Sequence, residues 1–598
     1  MPKIYIPKQQ KEFEYRGHKD LLQILLENEV FVDSPCNGKG TCGKCKVRVL
    51  NGELPGVSET EEGFLTLDEQ KAGVRLACLV VPQGDLTLEL LQEEGKHEVL
   101  SSGYLPAFDY QPAVTKRVID IEKPSLDHQI SYEKAVENAL GYDLNGESVD
   151  WRVFKDNKKI EKQMTAVFYQ GRLTALESGD TTEQMYGVAI DIGTTTVVTA
   201  LVDLRSGEEL ATAAMINPQK KFGLDVLTRI TYQMEEEAAA KNLQVTIVEG
   251  INQLMEELGE KAGISQEYIY EIVVSANCTM LHFLLGIEAT SIGVSPYAPI
   301  FVKAQTLRAR ELGLSGAPEA GVYLLPSVSS YIGADIVAGT YVSELHRSNE
   351  NLLFIDIGTN GEIVLSQRGK LVSCSCAAGP ALEGMNISAG MRAAEGAVEE
   401  VRITEQGNEL QVIGDREALG ICGSGILSVL KELIRIGLVK KNGAFIKMEK
   451  LEPRDYRRDL LRLQGTKRAF VLKEGPKELL ITQGDVRQVQ LAKGAILSGF
   501  HALLNKVGIH MEELDQVLIA GQFGAHLTVD NLVGTGILPE EVREKIRYVG
   551  NASKTGAYMA LMSTKVRKEM EDLANTMDYM ELGATENYER LFAKALQF

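Results

Sequence analysis

The sequence predicts a multidomain protein of α+β and α/β class. It divides into a small domain at 1–95, a linker at 96–112, a small middle domain at 113–185 and a two-lobed domain at 186–598. Three observations carry this division. The chain has 598 residues, and at about 100 to 200 residues per domain it holds roughly three to five. Four of its eight Cys fall in the first 78 residues. One hairpin pattern occurs twice, as GVAIDIGTTTVVTALVDL at 187–204 and LLFIDIGTNGEIVLSQRG at 352–369, which predicts two related lobes.

Hydrophobic residues make up 44% of the chain, which is ordinary for a folded globular protein. The net charge of -20 repels phosphate backbones and anionic lipid, so nucleic acid is excluded as a main partner. No run approaches the ~18 apolar residues of a membrane span and no apolar leader opens the chain, so no membrane association and a cytoplasmic location are expected. Eight Cys are too few for a disulfide scaffold, and four crowded together in a reducing compartment point to metal.

The first domain reads as a strand-like opening, an amphipathic helix around Leu21 to Glu29, a Gly- and Cys-rich loop, and the alternating strands KCKVRVL and GDLTLELL. In SPCNGKGTCGKCKVRV and RLACLVV, Cys36, Cys42, Cys45 and Cys78 are spaced C-x5-C-x2-C-x32-C, close to a [2Fe-2S] signature. Gly38, Gly40 and Gly43 let the backbone approach, so that amides point at cluster sulfurs. Zinc is the plainer alternative, but its sites usually pair two short C-x2-4-C knuckles and only one is present. Four unligated thiols are the other. GKGTCGK also imitates nucleotide loops, yet Cys45 stands where a P-loop needs Ser or Thr, and a strand follows in place of a helix. Over about 80 residues the loop resembles the [2Fe-2S] ferredoxins, particularly the adrenodoxin-like type, and a β-grasp fold is what that resemblance implies.

From about Gln92 to Pro112 periodicity is lost and Ser, Gly, Pro and charge accumulate, as in a linker or flexible arm. The next segment, to Gln184, mixes short helices and strands around the single Trp151 and holds no reactive constellation.

In AIDIGTTTVV an apolar strand ends at Asp191, turns through Gly193, Thr194, Thr195 and Thr196, and resumes. Successive amides and hydroxyls there suit phosphate oxygens, and the carboxylate suits Mg2+ held through water. FIDIGTNGEIV repeats the device with Asp356, Gly358, Thr359 and Asn360. Either hairpin alone is equally an ordinary Gly turn; the duplication favours two turns clamping a phosphate chain. Downstream, LDQVLIAGQFGAHL brings Gly521 and Gly524 to a strand end, and YVGNASKTGAYMAL brings Gly550 and Asn551 to the start of a helix through Gly556, the type of turn that packs against a nucleoside. Plain strand-turn-helix packing is the alternative for both. In GICGSGILSVL, Gly423 and Gly425 open a helix whose N-terminus suits a phosphate or, alternatively, close packing. Cys278, Cys374, Cys376 and Cys422 read as buried structural thiols. The eight His form no ligand pair, and no D-x-H-x2-G cobalamin motif is present, so a corrinoid is not expected on this chain.

The two hairpins and the downstream motifs resemble the acetate and sugar kinase, Hsp70 and actin superfamily over about 186–598, which implies ATP as ligand. The domain order, with PSVSSYIGADIVAG (326–339), CAAGPALEGMNISAGMRAAEGAV (376–398) and DVRQVQLAKGAILSGF (485–500), is similar to reductive activators of corrinoid proteins over essentially the whole chain. That resemblance implies an ATP-hydrolysing enzyme that passes one electron from the [2Fe-2S] cluster to Co(II) of a corrinoid protein in a methyltransferase system, regenerating Co(I). An external low-potential donor would refill the cluster. Cys36, Cys42, Cys45 and Cys78 would hold the cluster and the hairpins Mg-ATP, with Asp191 and Asp356 as catalytic carboxylates. A cluster fused to an ATP clamp fits uphill transfer: each ~59 mV costs about 1.4 kcal/mol. A small-molecule kinase with an added cluster, an activator of a radical dehydratase and a redox-sensing ATP-dependent scaffold are the rivals. Oligomeric state stays open, a homodimer included.

Overall fold

The computed structural model describes every residue except 1, 16–18, 29, 31, 33, 35–37, 39, 41–42, 92–103, 465–466, 476–477 and 522–526. Cys36, Cys42 and Gly524 therefore lie outside the described residues, as does the first part of the linker.

The N-terminal domain is a five-stranded sheet in the order Lys11–Glu14, Lys3–Ile6, Leu86–Leu90, Lys46–Asn51, Val74–Leu76. Lys3–Ile6 and Leu86–Leu90 run parallel, and the other neighbours are antiparallel. The helix Leu21–Glu27 starts where the Asp20 carboxylate accepts the Gln23 amide, and it buries Leu21, Leu22, Ile24 and Leu25 against the sheet. This helix-on-mixed-sheet arrangement is the β-grasp architecture that the ferredoxin resemblance implied.

Residues 114–178 form an antiparallel sheet of Val114–Asp120, Gln163–Tyr169 and Arg172–Ser178. One face packs on the helix Tyr132–Leu140. Val114, Val167 and Tyr169 join instead the core of the following lobe. Beneath Tyr169 the buried pair Arg567 and Glu271, 2.8 Å apart, binds the last third of the chain to that lobe.

The two hairpins found in the sequence open two sheets of one design. The first lobe runs Glu209–Ile216, Thr196–Asp203, Tyr186–Ile192, Ile269–Ala276, Gly321–Leu324, with Gln305–Arg308 added at the edge. The second runs Lys370–Cys376, Gly361–Gln367, Asn351–Ile357, Gln516–Ala520, Ile546–Gly550, with Asp578–Tyr579 beyond the first of these. In both, an antiparallel meander of three strands is extended by two parallel strands placed beside the meander's first. The buried helices Ala334–Val342 and Ala552–Met562 cross between the lobes, where a Cβ on Gly556 would sit 2.5 Å from that of Ala338. Only a residue without a side chain fits that crossing.

Residues 104–111 connect the small domains but are tied down. Tyr104 N donates to Val549 O, Gln111 N to Met562 O, and Thr564 N to Gln111 O. Phe108 and Tyr110 pack on Tyr558 of the crossing helix. The aromatic residues in LPAFDYQP supply the grip that a composition-based reading of a loose arm overlooks. Among the described residues no helix is long and apolar enough to cross a membrane.

Candidate functional site

Two sites emerge from this frame. In the N-terminal domain, Ala77 N donates to Cys45 O at 2.8 Å and so ties the two cysteine segments together. Glu61, fully buried, accepts Arg75 Nε at 2.9 Å and the Leu76 amide at 3.1 Å, which fixes the strand leading to Cys78. The Cys45 and Cys78 sulfurs then lie 3.3 Å apart. A disulfide would require about 2.05 Å; a tetrahedral metal with metal-sulfur bonds of ~2.3 Å holds two thiolates at about 3.8 Å. The two sulfurs are therefore not disulfide-bonded to each other and lie about half an ångström closer than two thiolates sharing one metal. Gly38, Gly40 and Gly43 all take positive φ (79°, 69° and 65°), and a Cβ on Gly43 would strike Phe64 at 2.6 Å. The cradle expected around a cluster is thus built from residues that only glycine replaces without strain.

The second site is the cleft between the lobes. The turn 193–196 is closed by Gly193 N donating to Thr196 O at 2.8 Å. Three residues that the sequence reading passed over hold it from behind. Asn217 Nδ2 donates to Gly193 O, Asn277 Nδ2 to Thr194 Oγ1, and Arg229 to Thr194 O. Arg229 is fully buried, and desolvation lowers its pKa to about 9, so a cation stands directly behind the first Gly-Thr turn. In the second turn Gly358 N donates to Asn360 O at 3.0 Å, and Thr359 Oγ1 donates to the buried Glu383.

Asp191 accepts Ser553 Oγ at 2.7 Å and Asn551 Nδ2 at 3.1 Å. Asn551, expected beside a nucleoside, here serves the carboxylate of the opposite lobe. Gly521 takes φ +90°, and its Cβ would lie 2.4 Å from Asp356 Oδ1, so this strand end abuts the second Asp. Gly423 and Gly425 meet backbone first: Cβ atoms there would strike Leu382 O at 1.9 Å and Val398 O at 2.0 Å. Close packing accounts for both glycines.

Burial raises the pKa of Asp191, and burial together with the Asp191 charge takes Asp356 to about 7. Asp335, at the start of the crossing helix, is taken to about 8 by burial and by the charges of Asp356 and Asp191. Glu362, paired across the strands with Asp356, is raised by burial and by Asp335 and Asp356. Asp335 and Glu362 stand inside strings already noted in the sequence. Their spacing carries no signal, because only the fold brings them to the hairpins. Such mutual repulsion in a desolvated cleft is relieved by a cation. Among the described residues no group of three or more His, Cys, Asp or Glu that could hold a metal ion is present. Cys278, Cys374, Cys376 and Cys422 are buried free thiols, as read from the sequence.

Comparison with known proteins matches families to the N-terminal domain and to each of the two lobes, and the region that one of them calls the middle is the first lobe rather than 113–185. Residues 4–83 match the family described as the 2Fe-2S iron-sulfur cluster binding domain, 186–348 the RACo middle region, and 350–598 the C-terminal domain of RACo, the ASKHA domain. The chain is 31% identical over 549 residues to the corrinoid activation enzyme RamQ of Eubacterium limosum, covering 88% of this chain and 87% of that one. It is 24% identical over 455 residues to the [Co(II) methylated amine-specific corrinoid protein] reductase of Methanosarcina barkeri, covering 69% and 77%. Among solved structures it is similar to a reductive activator for corrinoid, iron-sulfur protein. The TM-score is 0.71 at 32% identity, over 100% of this chain and 98% of the other.

Proposed function

The chain belongs to the family of reductive activators of corrinoid proteins, and from that premise we propose that it delivers electrons to the Co(II) corrinoid of a separate protein at the expense of ATP. The observation that carries this reading is the union, in one chain, of two converging cysteine sulfurs with a two-hairpin carboxylate cleft. The [2Fe-2S] cluster, when held by Cys36, Cys42, Cys45 and Cys78, supplies a one-electron carrier, refilled by an external low-potential donor.

The protein's own residues divide the remaining work. The turns at Gly193–Thr196 and Gly358–Asn360 offer amides and hydroxyls to the phosphates, with Arg229 lending positive charge from behind. Asp191, fixed by two donors, is the carboxylate suited to hold Mg2+ through water. Asp356 accepts no hydrogen bond among the described residues and titrates near neutrality, which suits a base that takes the proton of the attacking water. Asp335 and Glu362, on which burial favours the protonated form, release their protons as the cation is drawn in, and Gly521 keeps space beside Asp356.

The test uses the anaerobically reconstituted chain, a reductant and a Co(II) corrinoid protein, with the cobalt followed by its absorption. Co(I) should form with ATP and the wild-type chain. Asp356→Asn should slow ATP hydrolysis roughly 100-fold with its cluster spectrum unchanged, and normal hydrolysis in that variant would remove the second hairpin from the site.

A further inference from the structure

Lys44 immediately precedes the cluster ligand Cys45, yet its ammonium belongs to another domain's surface. It donates to Ser388 O at 2.9 Å and to Gly390 O at 3.2 Å, more than 340 positions away in sequence. The acceptors are presented deliberately. Ala389 O is turned inward to accept Ile421 N, and Met391 N donates back to Ile421 O, so the carbonyls on either side of Ala389 face outward together. The loop has no slack. A Cβ on Gly390 would strike Gly384 O at 2.0 Å and one on Gly384 would strike Met391 O at 2.3 Å, while Ser388 N and Oγ both donate to Asp485 Oδ1.

The same loop begins at the nucleotide cleft. Its first residues are Glu383, which accepts the Thr359 hydroxyl of the second phosphate turn, and Gly384. One hydroxyl proton serves one acceptor. When Thr359 turns its proton to a phosphate oxygen, the buried Glu383 loses its donor and lies closer to added negative charge. A tight loop passes that displacement along to Ser388 and Gly390.

We propose that the loop 384–391 is a docking surface for this chain's own cluster-bearing domain, engaged by Lys44, and that nucleotide bound at the Thr359 turn releases the dock. The proposal rests on the nucleotide reading above and adds to it an internal partner and a direction. Linkage makes the coupling reciprocal: whatever factor nucleotide costs the dock, loss of the dock returns to nucleotide affinity.

The experiment titrates a non-hydrolysable ATP analogue with Mg2+ onto the full reconstituted chain, as wild type and as Lys44→Ala. The variant should bind the analogue about fivefold or more tightly, the lower end of ordinary coupling. In the wild type alone, the analogue should speed amide hydrogen exchange both at 43–46 and at 386–391. The second readout stands even where Lys44→Ala disturbs the cluster. Equal affinities with unchanged exchange overturn the dock's control while leaving the nucleotide site intact. A chain that binds no analogue in any form removes the nucleotide site, and this control with it.

Discussion

Cys45 and Asp335 illustrate how single side chains set the chemistry here. Cys45 is buried, tied through its carbonyl to Ala77 and 3.3 Å from the Cys78 sulfur, so its thiolate cannot be replaced by a neighbour. Cys45→Ala should abolish the visible cluster absorption and leave nucleotide affinity unchanged, as read by spectrum and titration on one sample; retained absorption would mean a different ligand set. Asp335 makes a pH prediction. Its pKa, 3.8 in the ordinary state, is taken to about 8 in the fold by burial and by Asp356 and Asp191. The folded state thus holds the extra proton, and the associated stability is complete below about pH 4 and lost as pH rises through about 8. The thermal midpoint of the nucleotide-free protein should fall over that window, and Asp335→Asn should flatten the fall without removing it, since Asp356 slopes the same way. A midpoint that rises with pH would contradict the cluster of desolvated carboxylates. The cysteines and the Asp-Gly-Thr turns were legible in the sequence because their chemistry lies within one short stretch. Arg229, Glu383, Asn277 and Ser553 were not, because each reaches its partner through a separate element.

Among elements, the two hairpins and the two crossing helices matter most. The hairpins announce themselves by repetition, and the matching strand order of the two sheets follows from that repeat. The crossing was not legible: Gly556 looks like part of a nucleoside-side turn, whereas it meets Ala338 of the helix that carries Asp335. The second helix begins at Asn551 and Ser553, the donors to Asp191, so each crossing helix delivers part of the cleft. Gly556→Val should force the helices apart, cost about 1–3 kcal/mol in urea denaturation and weaken nucleotide binding together with stability. Full stability would show that the crossing tolerates a side chain and does not set the cleft.

At the scale of the whole molecule, the described residues form four hydrophobic cores, one of them shared by the middle domain, the first lobe and one face of the second lobe's sheet, and specific contacts join the parts. The Arg567 and Glu271 pair sits between the last helices and the first lobe, the strap 104–111 runs along the crossing helix, and Lys44 reaches the second lobe. Such an assembly lets a nucleotide-dependent change in the lobes reach the domain that carries the electron. The most direct test is a single turnover. The cluster is reduced, excess donor is removed, and the chain is mixed with a Co(II) corrinoid protein and ATP while cluster and cobalt absorptions are followed together. The account predicts that the cluster reoxidises and Co(I) appears one for one and at the same rate. Cobalt that stays Co(II) beside a reduced cluster and hydrolysed ATP would contradict it.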